Sequence, residues 1–199
     1  MIEKLRIRIS QMFAGILVVL ICISTSRWET QAPVVTMLLF LLGAVLVGIA
    51  SLGRLWCSVY IAGYKTDRLV TLGPYSMCRN PLYFFSLLGA LGVGFASETL
   101  IIPFLILIAF WGYYPSVIKS EEAELKRLHK SKFEIYLKNV PMFSPKTSLL
   151  KEPEEYVVRP KIFKEHTFHA LWFIWFLGII EIVEGLHELA VLPTIFKIY

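Results

Sequence analysis

The sequence predicts an all-α fold, an integral membrane helical bundle of about five transmembrane helices. Of its 199 residues, 56% are hydrophobic and only 18% are charged. The mean hydropathy of +0.64 is well above that of an ordinary soluble domain. Several apolar runs are long enough to cross the roughly 30 Å hydrocarbon core of a bilayer. The net charge of +5 must therefore be interpreted by position between these runs, and it does not indicate nucleic-acid binding.

The first two predicted spans lie before residue 54. The basic start MIEKLRIRIS leads into the apolar run MFAGILVVLICIS, but no small-x-small cleavage site of a secretory signal follows. We therefore predict a retained helix over residues 10–26. Pro33 suits the first turn of a second helix. Residues 33–53 then supply about twenty apolar or small residues without a charge, enough for one span.

Two more spans are predicted in the run that begins PLYFFSLLGALGVGF, with a tight turn at SETL between them. Pro81 can occupy the first turn of the third helix, and Pro103 and Pro115 are candidate kinks or ends of the fourth. The charged stretch SEEAELKRLHKSKFEIYLKNV is predicted to be a helix that continues the fourth span or docks beneath it. A fifth apolar segment, FHALWFIWFLGIIEIVEGLHELAVLPTIF, follows a proline-punctuated linker.

Positive charges lie in every second connection between the predicted spans, and this pattern predicts how the protein is oriented in the membrane. They comprise Lys4, Arg6 and Arg8 before helix one; Arg54, Lys65, Arg68 and Arg79 after helix two; and Lys119, Lys126, Arg127, Lys130 and Lys132 after helix four. The turns on the other side carry only Arg27. The positive-inside rule then predicts that the N-terminus, the 54–80 loop and the 119–166 segment are all cytoplasmic.

Polar side chains in these cytoplasmic stretches have the chemistry of a ligand site. The planar guanidinium of Arg79 suits a carboxylate or phosphate. The carboxylates of Glu121 and Glu122 can accept hydrogen bonds from a diol or pair with an amine. The alternative is that arginine and tyrosine side chains are interfacial anchors and that the glutamate pair is a solvated helix face.

Two ordered motifs favour the ligand site. LVTLGPYSMCRNPLYFF, followed about forty residues later by EEAELKRLHKSKFEIYLKNVPMFSP, resembles the two-part signature of the isoprenylcysteine carboxyl methyltransferase family, which is related to the membrane phospholipid N-methyltransferases. The matching positions are Leu69, Val70, Gly73, Tyr75, Arg79, Pro81 and Tyr83, then Glu121, Glu122, Leu125, Tyr136, Val140 and Pro141. The resemblance covers roughly residues 54–145.

The resemblance implies an integral-membrane enzyme with a cytoplasmic S-adenosylmethionine pocket and a lipophilic substrate that arrives from the bilayer. Carried over by position, the predicted cofactor-binding residues are Leu69, Val70, Tyr75, Arg79, Asn80, Tyr83, Glu121 and Glu122. Arg79 and Arg54 are the predicted catalytic residues, with Arg54 as an anchor for an anionic substrate group. The resemblance also divides the chain into N-terminal helices (1–53), a methyltransferase core (54–145) and a linker with the C-terminal helix (146–199).

The sequence departs from the family pattern in two places. The usual Arg-His-Pro is Arg-Asn-Pro here, so Asn80 can form hydrogen bonds but cannot titrate. The family's F-G-x-x-Y spacer corresponds to HKSKFEIY, which lacks the glycine but keeps Phe133 and Tyr136.

Two other activities remain as alternatives. Sterol-type membrane reductases share a related architecture but bind a nicotinamide dinucleotide, and loss of the motif histidine also suits a non-catalytic membrane protein. The acceptor stays open among an isoprenylated carboxylate, a phospholipid amine and a small lipophilic thiol or quinone-like compound.

The last apolar segment contains an acidic stripe that the resemblance does not explain. Glu181, Glu184, His187 and Glu188 share one face of a helix. The stripe is expected to face the bundle interior or a polar cavity, or to mark the end of the helix at the interface, because ionisable groups are costly inside a bilayer. The Glu-x-x-His spacing found in di-iron bundles lacks its second copy, so no metal site is predicted.

Overall fold

The computed structural model describes residues 2–64 and 68–199, with side chains described from Met12 onward. The described chain is mostly helical. Its elements are α1 (Ile2–Ile23), β1 (Ser24–Ser26), α2 (Trp28–Gln31), α3 (Pro33–Ile61), α4 (Pro74–Met77), α5 (Pro81–Ala96), α6 (Ile101–Asn139), a 3₁₀ turn (Thr147–Leu149), α7 (Pro160–Glu188) and β2 (Phe196–Ile198).

Three of the described helices, α3, α6 and α7, are long and apolar enough to cross a membrane. The apolar parts of the first and third predicted spans are shorter, Met12–Ile23 in α1 and Pro81–Ala96 in α5. A helical membrane bundle is therefore supported, while the count of about five spans and the cytoplasmic orientation stay predictions. Among the charges behind that orientation, Lys65 lies outside the described residues, as do the side chains of Lys4, Arg6 and Arg8.

Helices α3 and α5 form the most extensive helix pair of the bundle. Their backbones approach closely at Gly43 and Gly92. A Cβ atom on Gly43 would collide with the backbone at Gly92 and Ala96, and one on Gly92 would meet the backbone of Gly43. Small residues allow this approach in membrane helices, where van der Waals packing replaces hydrophobic burial as the force that holds helices together. The pair fixes the end of α3, at Ile61, next to the start of α5, at Pro81. We call this end of the bundle the motif end.

Helix α3 is longer than predicted, and it ends at Ile61 instead of near residue 53. Arg54 consequently lies within the helix, so its placement in a loop was wrong. Within the helix, Arg54 has partners on neighbouring helices, including the hydroxyl of Ser86 on α5. The predicted segments 1–53, 54–145 and 146–199 stay a prediction, and α3 crosses the first boundary without a break.

The charged stretch after the fourth span continues α6 as predicted, and neither Pro103 nor Pro115 ends the helix. The interruption is instead at Lys130, with φ 46° and ψ −120°. A positive φ with this ψ is disfavoured for a residue with a Cβ atom. Lys130 lies in the spacer that lacks the family's glycine, and the break turns residues 131–139 back toward the loop before α5.

Replacing Lys130 with glycine is expected to stabilise the protein by about 1 kcal/mol because it removes the strain at this positive φ. For a chain of this length, that corresponds to a melting temperature about 2–4 °C higher, measured by thermal unfolding in detergent. Lys119→Gly, in the regular part of α6, is the matched control and should lower stability by about 1 kcal/mol. A destabilised Lys130→Gly variant would show that the position carries no strain.

The opposite end of the bundle is closed by two short strands, which the sequence did not predict. β1 pairs in parallel with β2, with Ser24, Thr25 and Ser26 opposite Phe196, Lys197 and Ile198. The backbone N–H of Leu100 also donates to the carbonyl of Tyr199 at 2.9 Å. The C-terminal residues therefore tie the end of α1 to the turn between α5 and α6.

A polar cavity of about 200 Å³ lies at this opposite end, beneath the strands. Glu184, His187 and Glu188 of the acidic stripe line it, together with Glu29 from α2 and Glu98 from the turn between α5 and α6. The Nε2–H of His187 donates to the Cys22 carbonyl at 3.0 Å. Within the described parts of the chain, no group of three or more His, Cys, Asp or Glu residues is arranged to hold a metal ion.

Replacing Glu98 with glutamine is expected to stabilise the protein at pH 7.5 but not at pH 4. Burial, followed by the nearby carboxylates of Glu29, Glu181 and Glu188, raises the pKa of Glu98. A raised folded-state pKa means that stability is lost as the pH rises above the unfolded value of about 4.3. Because Glu98 is only partly buried, we expect the melting temperature to increase by only about 1–2 °C. An equal increase at pH 4 would exclude the charge as its cause.

Candidate functional site

Backbone hydrogen bonds bring the two sequence motifs together at the motif end. Arg79 and Asn80 lie in the short connection between α4 and α5. The Arg79 N–H donates to the carbonyl of Pro141 at 2.9 Å. The Tyr136 hydroxyl donates to the carbonyl of Tyr75 at 2.6 Å. The loop before α5 is thus fixed against the last turns of α6, although about sixty residues separate them in sequence.

The carboxylate of Glu122 accepts hydrogen bonds from two residues of the first motif, Arg79 and Asn80. Arg79 donates to both of its carboxylate oxygens, from Nε at 2.8 Å and from Nη2 at 3.4 Å. Asn80 Nδ2 donates to the same carboxylate at 3.3 Å and to the Met142 carbonyl at 3.0 Å. The side chains of Arg79 and Glu122 are only 12% and 16% exposed. A forked, largely desolvated pair of this kind holds its carboxylate in one orientation.

The remaining donor of Arg79 is also used within the protein. Its Nη1 donates to the Val140 carbonyl at 2.7 Å and to the Leu137 carbonyl at 3.3 Å. All three guanidinium nitrogens therefore have protein partners. In this geometry Arg79 positions Glu122 and the end of α6, and its catalytic role stays a prediction.

Glu121, the second carboxylate, is held from the other side. The Tyr83 hydroxyl donates to Glu121 Oε1 at 2.9 Å. The Tyr83 ring lies edge-on to Tyr114, with centroids 5.3 Å apart, and Phe110 stacks on Tyr114 at 4.4 Å. Adjacent glutamates thus project to different partners, and the aromatic cluster limits movement of Tyr83.

These groups surround one cavity of about 360 Å³. All eight predicted cofactor-binding residues line it: Leu69, Val70, Tyr75, Arg79, Asn80, Tyr83, Glu121 and Glu122. The residues that sequence reasoning did not assign to it are Ile61, Arg68, Leu82, Ser120, Glu124, Leu125, Leu128, Phe133 and Tyr136. Leu125 and Leu128 follow Glu121 at four and seven residues, so the helical period could have identified them.

Arg68 is a second arginine at this cavity, and no carboxylate among the described residues forms an ion pair with it. It is exposed, and its guanidinium lies 4.6 Å from the centre of the Tyr64 ring. Its planar fork can bind a carboxylate or phosphate of a ligand while the aromatic ring supports its position. The sequence signal was an arginine directly before the Leu-Val pair of the first motif.

Tyr75 contributes a buried hydroxyl with no partner among the described residues. Burial, and then the nearby Cys57 and Tyr136, raises its pKa well above the ordinary value. The hydroxyl is therefore protonated at neutral pH and can donate one hydrogen bond. Unsatisfied buried polar groups are rare in native proteins, so this one is consistent with a bound ligand.

Cys78 does not have the properties of a nucleophile. It is fully buried, and burial raises the pKa of its thiol to about 12, despite the opposing effects of the Asn80 backbone hydrogen bond and Arg79. Thiolate, the reactive form, is accordingly scarce at neutral pH.

Arg54 does not line the cavity that contains Arg79. Its Nη1 donates to the Ser86 hydroxyl, its Nη2 donates to the His169 carbonyl at 3.4 Å, and its guanidinium lies 5.6 Å from the Phe173 ring centre. The two predicted catalytic arginines therefore occupy different places, Arg79 beside the cofactor motifs and Arg54 deeper in the bundle.

The cavity combines an apolar side with groups of both charges. Ile61, Val70 and Leu128 can contact a flat apolar group. The carboxylates of Glu121 and Glu122 can pair with a cation or accept from hydroxyl groups, and Arg68 can pair with an anion. Its volume is within the range of about 300–1,000 Å³ found for small-ligand sites.

The fold and the site define a helical membrane protein with a cavity at one end that is lined by charged and apolar side chains. The family model described as phospholipid methyltransferase matches residues 31–132, which include α3, the first motif, α5 and the glutamate pair. The chain belongs to the phospholipid methyltransferase family.

Two curated relatives are similar over most of their length. The cobalt-zinc-cadmium resistance protein CzcN of Cupriavidus metallidurans is 35% identical over 173 residues, which cover 87% of this chain and 79% of the relative. The nickel-cobalt-cadmium resistance protein NccN of Alcaligenes xylosoxydans xylosoxydans is 34% identical over 177 residues, 89% of this chain and 83% of the relative. No solved structure matches the chain significantly.

Proposed function

We propose that the protein transfers a methyl group from S-adenosylmethionine to a lipophilic acceptor at the cytoplasmic face of a membrane. The observation that carries the proposal is that all eight cofactor positions implied by the two motifs line one cavity at the motif end. Membership of a methyltransferase family supports it.

The cavity suits the chemical groups of this cofactor. Glu122, oriented by Arg79 and Asn80, and the neighbouring Glu121 would accept hydrogen bonds from the ribose hydroxyls or pair with the amino group. Arg68 would pair with the carboxylate, and Ile61, Val70 and Leu128 would contact the adenine. The unpartnered hydroxyl of Tyr75 supplies one more donor.

The bound cofactor supplies a methyl carbon activated by a positively charged sulfonium. The protein's part is to position the reactants and exclude water, which are large contributions in a displacement of this kind. The Arg-Asn-Pro segment offers no titratable side chain at Asn80. An acceptor that is already anionic needs no proton removed, so this acceptor class suits the site better than a protonated amine.

Both relatives are named for resistance to metals, and neither name states an acceptor. We therefore base the proposal on the cavity and the family. A contribution of this chain to metal resistance would, in this proposal, come from methylation of a lipophilic compound.

The test is calorimetric titration of the detergent-purified full chain with S-adenosylhomocysteine and, separately, with NADPH. We expect micromolar binding of S-adenosylhomocysteine and none of NADPH. Binding of NADPH alone would identify a reductase-type site. No binding of either ligand by folded protein would favour the non-catalytic alternative.

A further inference from the structure

The side chain of Asn80 connects three parts of the cavity at the motif end. Asn80 lies directly before the first turn of α5 and is buried, with 9% of its surface exposed. Its Nδ2 donates to Glu122 Oε1 at 3.3 Å and to the Met142 carbonyl at 3.0 Å. Both partners are acceptors, so the nitrogen of the amide must face them. The side chain therefore joins the loop before α5 to α6 and to the segment that follows α6.

These hydrogen bonds decide which oxygen of Glu122 is left for a ligand. Oε1 accepts from Arg79 Nε at 2.8 Å as well as from Asn80. Among the described residues, Oε2 accepts only from Arg79 Nη2, at 3.4 Å. Because each carboxylate oxygen has about two lone pairs, Oε2 keeps an acceptor position for a ligand and Oε1 does not. Asn80 thus acts on a ligand through the orientation of Glu122.

A primary amide can form both of its hydrogen bonds at any pH at which the protein is folded. Its nitrogen carries two N–H groups, and the amide is neutral and does not titrate. A neutral imidazole has a single N–H, so it could donate to only one of the two acceptors. It could donate to both only as the imidazolium, whose ordinary pKa is about 6.5. A histidine at this position would therefore lose one hydrogen bond as the pH rises.

The other ionisable side chains around Asn80 come from every element that borders the cavity. They are Arg68 from the loop before α4, Tyr75 from α4, Cys78 and Arg79 from the loop before α5, Tyr83 from α5, and Glu121, Glu122, Glu124 and Tyr136 from α6. The described lining contains no histidine, the residue whose ordinary pKa lies between pH 5 and 8. His129 follows Leu128 of the lining, and its effect cancels when variants that all retain it are compared with the wild type.

We propose that Asn80 is a positioning residue that holds Glu122 Oε2 toward the ligand independently of pH between about pH 6 and 8.5. Cofactor affinity is therefore constant over this range. The identity of the ligand as S-adenosylmethionine rests on the proposed function. The positioning of Glu122 rests on the hydrogen bonds of Asn80 alone, and it can be tested without a ligand.

The first test is calorimetric titration of the detergent-purified full chain with S-adenosylhomocysteine at pH 6 and at pH 8.5. The wild-type dissociation constant should change less than about twofold. Relative to the wild type at the same pH, Asn80→His should bind within about threefold at pH 6 and at least about tenfold more weakly at pH 8.5, because one hydrogen bond is lost. Asn80→Ala should bind at least about tenfold more weakly at both pH values.

The second test is thermal unfolding of the same variants without ligand. The carboxylates of Glu121 and Glu122 outnumber the guanidinium of Arg79, so they should raise the pKa of the introduced imidazole above its unfolded value of about 6.5. Its stabilising effect is then present below the unfolded pKa and is lost as the pH rises through the folded pKa. Relative to the wild type, the melting temperature of Asn80→His should be about 2–4 °C lower at pH 8.5 than at pH 6.

Asn139→His is the matched control because it replaces an exposed amide on the same side of the membrane in the predicted orientation. Asn139 Nδ2 donates to the Ile135 carbonyl at 2.8 Å and not to a carboxylate. This variant should add no pH dependence to either measurement. If Asn80→His does not fold, the wild-type pH profile and the binding loss in Asn80→Ala decide.

Two results would overturn the role of Asn80 and leave the methyltransferase intact. One is S-adenosylhomocysteine binding that Asn80→Ala does not weaken. The other is an Asn80→His variant whose affinity and melting temperature follow the wild-type pH profile. Absence of S-adenosylhomocysteine binding by the folded wild type would instead refute the proposed cofactor, and the melting temperatures would still decide whether Asn80 positions Glu122.

Discussion

Replacing Glu122 with alanine is expected to weaken S-adenosylhomocysteine binding at least a hundredfold and to destabilise the protein by about 3 kcal/mol. The binding loss follows because Glu122 is the carboxylate that Arg79 and Asn80 orient into the cavity. The stability loss follows because the variant leaves the largely buried guanidinium of Arg79 without its counter-charge. Calorimetric titration measures the first effect, and thermal unfolding in detergent should show the second as a decrease of about 6–12 °C.

Glu134→Ala is the matched control because it removes a carboxylate from the same helix. Glu134 pairs with Lys126 at 3.3 Å, but both side chains are more than half exposed. Exposed pairs contribute at most about 1 kcal/mol, so stability and binding should change little. Binding by Glu122→Ala within threefold of the wild type would show that the ligand does not use this carboxylate.

A double-mutant cycle can separate the two contributions of the pair. Arg79→Met and Glu122→Met should each destabilise strongly, while the double variant should be less destabilised than their sum because no uncompensated charge remains. We expect a coupling free energy of about 2–3 kcal/mol. The double variant should still fail to bind S-adenosylhomocysteine, since restored stability does not restore the carboxylate.

Predictions from the sequence were most accurate for features that a short segment of the chain determines by itself. Long apolar runs and prolines at first turns predicted the starts of α3 and α5, Pro33 and Pro81. Motif spacing predicted eight of the residues that line the cavity at the motif end. In each case the decisive property, hydrophobicity or residue type at fixed spacing, belongs to one short segment.

Features that depend on distant partners were missed. The strand pair between Ser24–Ser26 and Phe196–Ile198 joins opposite ends of the chain and has no local signature in three-residue segments. Arg79 lines the predicted cavity, but the protein partners of its guanidinium were not predicted. Its actual partners include the Leu137 and Val140 carbonyls at the end of α6, and only the fold brings these within reach. The positive φ of Lys130 was likewise hidden, since lysine is not a turn-specific residue.

Replacing Gly73 with alanine is expected to destabilise the protein by about 3 kcal/mol, the largest effect of any glycine-to-alanine change at the site. Gly73 has φ 57° and ψ −134°, a conformation that L side chains rarely adopt. A Cβ atom there would also collide with the Tyr60 ring, which packs in the buried cluster with Tyr75 and Phe85. Thermal unfolding in detergent should show a decrease of about 6–12 °C.

The same substitution should also weaken S-adenosylhomocysteine binding, because the Gly73 turn sets the position of the loop that carries Arg79 and Asn80. Gly73 N–H donates to the Lys151 carbonyl at 2.8 Å, and a shift of the turn would break this bond between the loop and the linker. Gly48→Ala in α3 is the control, since a Cβ atom there meets nothing within 4 Å and alanine favours the helix by about 1 kcal/mol. Because alanine is added in both variants, opposite signs of their stability changes would isolate the backbone conformation and the contact with Tyr60 as the cause. Destabilisation by both to the same extent would instead indicate a general intolerance of larger residues.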